Sequence, residues 1–381
     1  MKAVYRCIEC GAVYKIEPER MLCASCSALQ RADEPLRGLL EVEYDGRLPA
    51  DWDIFHFLPV EPEYFPPIPV GHTPLWKPEN LRKETGFPEL YLKDDGSNPT
   101  GSFKDRASFL VAAFARKHGI RDIVVASTGN AGSSMAGVGA AAGLNVRLYL
   151  PESAPEAKLV QSLQYGAQLI RVKGNYDEAY KQSMEYVSTH GGLSRNTAHN
   201  PLTIEGKKTV SLEIYRQLGK KLPDFLFVSV GDGVIISGVY KGLDDLHRQG
   251  LIERIPTVIA VQAEGSSAIS RALSHGEFQP PVPASTIADS ISVDVPKGGY
   301  FALKKLREHK GEAVTVSDKE ILRAQHTLAR SCGLFTEPAG AAAAAGFFKL
   351  REKLSSKAVY AVLLTGSGLK DIASARKGVM G

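Results

Sequence analysis

From Leu90 onward, short apolar runs rich in β-branched residues alternate with longer stretches whose apolar positions recur at helical spacing. The runs are Ile123–Val125, Val146–Leu150, Leu169–Val172, Phe225–Val230, Thr257–Val261 and Val359–Leu364. Helices are predicted over Ser102–His118, Ala131–Ala142, Glu156–Tyr165, Asp177–His190, Ile204–Leu218 and Asp318–Ser331. Strands alternating with helices of about 10–15 residues predict βαβ units and parallel sheets. The runs are apolar throughout rather than alternating, as for strands covered on both faces. Residues 31 to 70 break the pattern. Pro59, Pro62, Pro66, Pro67 and Pro69 fall close together, which disfavours helix and central strand, so this stretch is expected to be an irregular linker. No low-complexity tract and no internal repeat is visible.

Composition narrows the function classes. The chain has 381 residues; at about 150 residues per domain, two to three domains are expected. The 46 Lys+Arg nearly balance the 42 Asp+Glu, giving +4, so no nucleic acid or anionic membrane is implied as partner. With 44% hydrophobic and 23% charged residues there is material for a large core, which excludes disorder as the main state. The apolar stretch Ala339 to Phe348 is far short of the roughly 20 residues of a membrane span. The start, MKAVYRCIEC, lacks the apolar region of a secretory signal, so a cytoplasmic location is expected. The 36 glycines are clustered, and such clusters are where backbone approaches phosphates.

Four of the five cysteines form two pairs, Cys7-x2-Cys10 and Cys23-x2-Cys26. A two-residue gap lets two thiolates reach one ion from a tight turn, and two such turns complete a tetrahedron. The spacing points to a zinc-ribbon-like knuckle; its alternatives are two disulfides, or a knuckle without metal. With four protein ligands no position stays open for water, so the zinc would be structural. Acidic residues (Glu9, Glu17, Glu19, Asp33, Glu34) are interspersed with the basic ones, so no nucleic-acid face is evident. Cys332 reads as an inert core thiol.

Five motifs follow strands or open helices. In Ser97-Asn98-Pro99-Thr100-Gly101-Ser102-Phe103-Lys104-Asp105-Arg106 a turn delivers a lysine into the first turn of a helix, where cations are disfavoured and an amine's pKa can fall. The bland reading is a solvated lysine beside a capping Ser102. Ala126-Ser127-Thr128-Gly129-Asn130-Ala131-Gly132 makes an anion cradle or simply a well-capped helix. Val230-Gly231-Asp232-Gly233-Val234-Ile235-Ile236 has phosphate-binding geometry but is neither a dinucleotide fingerprint nor a Walker loop. Thr336-Glu337-Pro338-Ala339-Gly340 opens a nearly all-alanine helix, and Thr365-Gly366-Ser367-Gly368-Leu369-Lys370-Asp371 follows the last strand.

Together and in this order, the motifs resemble the fold type II pyridoxal-phosphate enzymes (the tryptophan-synthase-β type) and, among them, the threonine synthases. SNPTGSFKDR, ASTGNAG, NPLTIEGKKT, EPAGAA and TGSGLKD carry the resemblance, over roughly residues 70 to 375. It implies two three-layer α/β lobes with mainly parallel sheets, beside the N-terminal knuckle. The expected division is a knuckle at 1–45, a large cofactor-binding domain at 46–107 and 206–381, and a small inserted domain at 108–205, with the active site in the cleft between the lobes. It implies that Lys104 forms the Schiff base with pyridoxal 5'-phosphate and moves protons. Asn130 would bond the cofactor's phenolic oxygen and lie beside the substrate. Ser127, Thr128 and Ala131 would surround the substrate carboxylate. Gly231, Asp232, Gly233, Val234 and Ile235 would cup the cofactor phosphate, and Thr365 would bond the pyridine nitrogen. A hydroxyl there leaves that nitrogen weakly charged, which suits elimination and replacement. The implied reaction converts O-phospho-L-homoserine and water to L-threonine and phosphate. A homodimer and a small phosphorylated or hydroxylated amino-acid substrate are implied too.

The chain departs from the family's pattern in places. Thr203 stands where an arginine for the substrate phosphate is expected, Ala198 where a serine is frequent, and Ser367 where a histidine is common. Arg195, Lys207 and Lys158 are the nearby cations available instead. Two other readings therefore stay open on the same scaffold: a β-replacement enzyme acting on phosphoserine, cysteate-synthase-like, and a serine/threonine ammonia-lyase. A third, from another class, is a binding protein with a relict enzyme core.

Overall fold

The structure is a computed structural model that describes residues 2–380, with the side chains of all of these but Ala157, Lys158, Val379 and Met380. Its strands, in chain order, are β1 (Lys2–Cys7), β2 (Val13–Tyr14), β3 (Leu40–Asp45), β4 (Leu75–Trp76), β5 (Leu90–Asp94), β6 (Asp122–Ala126), β7 (Asn145–Pro151), β8 (Gln168–Val172), β9 (Leu193–Ser194), β10 (Phe225–Ser229), β11 (Thr257–Ala263), β12 (Glu312–Val316) and β13 (Tyr360–Leu364). They belong to two compact units. The first comprises Met1–Gln30, Leu36–Gly71 and Lys104–Thr209; the second comprises Arg31–Pro35, His72–Phe103 and Val210–Gly381.

The first unit holds a parallel sheet in the order β8-β7-β6-β9 and a small antiparallel sheet in the order β2-β1-β3. Apolar side chains leave the parallel sheet on both faces. Ile123 and Val125 pack with the helices Lys104–Lys117 and Asn130–Ala142. Val124 and Ala126 face the other way, against the helix Tyr176–His190. The cysteine segment shares the first of these cores, through Tyr5, Cys7, Cys23 and Cys26. Strand β3 lies inside the stretch expected to be irregular. Its six residues precede the proline cluster and pair with β1 along its whole length, from Lys2–Asp45 to Cys7–Leu40. The helix expected over Ile204–Leu218 is two helices, Leu202–Lys207 and Thr209–Gln217.

The second unit is a six-stranded sheet in the order β12-β11-β10-β13-β5-β4, parallel except for β4 at its edge. Leu226 and Val228 pack with the helix Val234–Arg248 on one face, and Phe227 packs with the helix Pro338–Leu350 on the other. This is the covered parallel strand that the unbroken apolar runs predict. Among the described residues no helix is long and apolar enough to cross a membrane.

A buried ion pair ties the entry strands of this unit to the helix Thr209–Gln217. Lys93 Nζ lies 2.7 Å from Glu213, with both side chains almost wholly buried. Lys93 also donates to Thr73 O at 2.7 Å and to Gln217 at 2.9 Å, while Glu213 accepts from the His72 amide at 2.9 Å. Removing one partner strands the other charge in a dry interior, which costs about 3–5 kcal/mol. Glu213→Gln is therefore expected to lower unfolding free energy in urea by about that amount. The double change Lys93→Met with Glu213→Leu is expected to recover most of the loss.

Candidate functional site

In the first unit two helices begin on residues singled out by sequence. Lys104 is the first residue of its helix and Asn130 the first of its own, directly after β6. The turn between β6 and Asn130 is held by Ser127. Its Oγ accepts from the Gly129 amide at 3.2 Å and from the Gly132 amide at 3.1 Å. A Cβ on Gly132 would come within 2.8 Å of the Ser127 carbonyl, so the helix meets the turn only through a glycine. Thr128 and Ala131 are half-buried on the same turn.

A polar layer lies one helical turn further along both helices. Ser108 follows Lys104 by four residues and Ser134 follows Asn130 by four, and their hydroxyls are 2.7 Å apart. Arg195 reaches this layer from the chain beyond β9, with Nε 3.3 Å from Ser108 Oγ. Ser102, read as a possible helix cap, does not act as one: its hydroxyl is buried without a hydrogen-bond partner.

In the second unit the turn Gly231-Asp232-Gly233 joins β10 to the helix Val234–Arg248. Gly233 has φ +82°, a conformation that favours glycine, and no side chain caps the helix. A Cβ on Gly231 would lie 2.6 Å from Ile291 Cα. Asp232 turns its carboxylate away to accept from the Lys297 amide at 2.5 Å, and its carbonyl accepts from the Gly298 amide at 2.8 Å. The free amides at Val234 to Ile236 fit a phosphate, since the first turn carries no acidic side chain.

Three further motifs of this unit are joined by backbone. The Phe103 amide donates to Thr365 O at 2.8 Å, the Ser367 amide to Gly101 O at 2.9 Å, and Ser102 bridges Gly366. Gly366 O also accepts from the Glu337 amide at 2.9 Å and from Thr336 Oγ1 at 2.6 Å. Thr365 is buried at the end of β13, and its hydroxyl bonds no described residue. That donor set fits a heteroaromatic nitrogen.

The four paired cysteines converge in the first unit, with all four Sγ atoms within 4.8 Å of one another. Cys7 and Cys26 are 3.8 Å apart, and Cys10 and Cys23 3.6 Å. All are free thiols, which removes the disulfide alternative. Zinc–sulfur bonds of about 2.3 Å in a tetrahedron set sulfurs about 3.8 Å apart, so the donor set fits zinc. Burial works to raise the Cys23 thiol, but hydrogen bonds from Tyr14 and its cysteine neighbours outweigh it and bring it down to about 6. Cys332 is half-buried, and burial followed by the charge of Glu84 pushes its thiol up to about 11, as for an unreactive thiol.

Comparison with known proteins fixes the family. Residues 68–366 match the pattern described as "Pyridoxal-phosphate dependent enzyme". The chain is 35% identical to the threonine synthase of Methanosarcina acetivorans, over 96% of this chain and 92% of that one. It belongs to the pyridoxal-phosphate-dependent enzymes and, among them, to the threonine synthases. The threonine synthase of Methanocaldococcus jannaschii is likewise 35% identical over 96% of the chain, and that of Halalkalibacterium halodurans 37% over 83%, covering 92% and 87% of those proteins. Threonine deaminase isoform 2 from Solanum lycopersicum shares the fold at TM-score 0.72 and 21% identity, covering 89% of this chain and 96% of that one. Maize serine racemase does so at 0.70 and 21%, covering 82% and 93%.

Of the cations named from sequence, Lys207 is buried and donates to the Thr203 carbonyl at 3.0 Å, Arg195 is wholly buried, and the side chain of Lys158 lies outside the described residues. Sequence could name these three but not rank them, because a lone arginine in a Ser-Arg-Asn-Thr run has no periodic signature. Ser108 was missed for the same reason.

The Ser127 turn makes a stability prediction. Ser127→Ala removes the acceptor of two amides, and chemical denaturation is expected to show a loss of about 1–2 kcal/mol.

Proposed function

We propose that the protein converts O-phospho-L-homoserine and water to L-threonine and phosphate with pyridoxal 5'-phosphate as cofactor. The observation that carries this reading is the 35% identity to threonine synthases along 96% of the chain. When bound, the cofactor supplies an electron sink for charge developing at the amino acid's α-carbon. Lys104 Nζ would hold the cofactor, take the proton from the substrate's Cα and pass it on to the cofactor, and only then, neutral again, take a second from Cβ as phosphate leaves Cγ. Asn130 donates to the cofactor's phenolic oxygen. Ser127, Thr128, Asn130 and Ala131 orient the substrate carboxylate. The turn from Gly231 to Ile235, Asp232 included, holds the cofactor phosphate through backbone amides. Thr365 meets the pyridine nitrogen with a neutral hydroxyl, which favours elimination over transamination. Cys7, Cys10, Cys23 and Cys26 hold one structural zinc. A homodimer working in the cytoplasm is part of the same reading and rests on the resemblance alone.

One observation supports a second reading, β-replacement on phosphoserine or ammonia release from serine or threonine. Thr203 is fully buried and donates to Asn200 O at 2.7 Å, so its hydroxyl is occupied by its own backbone. Ala198 beside it is buried with φ +68°.

A substrate panel decides between them. The holoenzyme is expected to release phosphate and threonine from O-phospho-L-homoserine, and no ammonia from serine or threonine; the opposite pattern selects the second reading. Lys104→Ala is expected to lose the visible absorbance of bound cofactor and at least 1,000-fold in kcat, about 4 kcal/mol of barrier. Metal analysis of the purified chain is expected to find about one zinc for its four thiolates.

A further inference from the structure

Arg195 is the anomaly of the first unit. Its side chain is wholly buried, yet no carboxylate of the described residues comes within ion-pair reach of it. Its Nε meets Ser108 Oγ at 3.3 Å and its Nη1 meets Thr197 Oγ1 at 2.8 Å, both neutral acceptors. Its Nη2 is sealed from water and has no partner. Burial lowers the guanidinium to about 10, against an upward pull from Tyr176 and Asp105, so it stays protonated at neutral pH. A buried cation whose one opposing charge, Asp105, lies beyond ion-pair distance is costly, by several kcal/mol. Folds keep such a group where a ligand supplies the missing anion.

A second observation lies four residues away. His199 Nδ1 is also sealed and unpartnered, and burial pushes the ring down to about 4, so it is neutral. Arg195 and His199 bracket Thr197, which is only half-buried. The Thr197 hydroxyl thus accepts from the buried fork on a residue that is itself only half-buried. Lys207 donates to the Thr203 carbonyl and is itself buried.

We propose that Arg195 is the specificity-determining residue with which this chain recognises an anionic group on its substrate's side chain, a phosphate monoester above all. This rests on the proposed use of a phosphorylated amino acid. The phosphate displaces Thr197 Oγ1 from Nη1 and pairs with Nη1 and Nη2 together, the bidentate geometry that suits guanidinium and phosphate. Arg195 enters this layer one helical turn beyond Lys104, through Ser108, so the recognised anion and the amine sit on the same side of the helix Lys104–Lys117.

The test compares the holoenzyme with Arg195→Met, which keeps volume without charge, and Arg195→Lys, which keeps charge without the fork. Inorganic phosphate binding is measured by calorimetry, and KM and kcat on O-phospho-L-homoserine separately. Arg195→Met is expected to weaken phosphate binding and raise KM together by roughly 10- to 100-fold, the range of a charged hydrogen bond. Its affinity for L-threonine, which carries no phosphate, and its thermal midpoint are expected to hold or improve. Arg195→Lys is expected to fall between. Unchanged phosphate affinity in Arg195→Met overturns the proposal, as does an equal loss for phosphate and threonine. If Arg195→Met does not fold, Arg195→Lys decides: wild-type phosphate affinity in it overturns the bidentate assignment. An enzyme that turns over phosphohomoserine with phosphate affinity insensitive to Arg195 sinks this proposal and leaves the activity standing. Arg195-dependent phosphate binding without that turnover does the reverse.

Discussion

The backbone clasp between Gly101–Phe103 and Thr365–Ser367 fixes the chain where it enters the lysine helix. Two interstrand-type hydrogen bonds and a bridge hold these triplets in register. The clasp needs glycine at both ends. Gly101 has φ +86°, and a Cβ on Gly366 would meet the Glu337 carboxyl group. Phe103, the residue before the lysine helix begins, is thereby pinned to the end of β13. Strands wholly covered by helices are rigid, and rigid elements give a reactive group a fixed place. The same carbonyl of Gly366 gathers the Thr336-Glu337 segment, so three distant motifs depend on one turn.

The first unit is built on a different economy of polar groups. Its turn at Ser127 satisfies two amides with one hydroxyl, while one helical turn deeper Ser108, Ser134 and Arg195 form a layer that is not fully satisfied. Interiors normally pair nearly all such groups, and the unpartnered Nη2 of Arg195 is the observation on which the proposed phosphate recognition rests. The neighbouring cysteine cluster makes the contrast plain. There, four thiols stand at the spacing one zinc ion requires, and Gly38, with φ +71° and a Cβ position 2.9 Å from the Ser27 amide, lets the chain pass close to them.

Much of this was legible in the residues. Apolar runs marked β6, β7, β10, β11 and β13, which are largely buried, and also β8, where Gln168 and Arg171 remain exposed. Motifs marked helix starts to within two residues, expected at Ser102 and Ala131 and found at Lys104 and Asn130, and a helix after the Gly231–Gly233 turn, since glycine and small polar residues are what such turns need. Strand β3 was hidden because its pairing to β1 spans more than thirty residues and leaves no local signal. The break at Lys208 was hidden because its setting is tertiary: Lys208 Nζ is buried over the Tyr44 ring, and the Tyr44 hydroxyl donates to Glu205. Arg195 was visible as a residue but not as a buried, uncompensated charge, which only packing reveals.

The proposed role of Lys104 in cofactor capture depends on the clasp that holds the chain just before it. Its most direct test is a titration of pyridoxal 5'-phosphate into apo Gly366→Ala, followed by visible absorbance, beside a circular-dichroism check of folding. The added methyl would meet the Glu337 side chain packed against this turn, so a folded variant is expected to bind the cofactor at least 10-fold more weakly, about 1.4 kcal/mol. A folded Gly366→Ala that takes up cofactor with wild-type affinity would contradict the account.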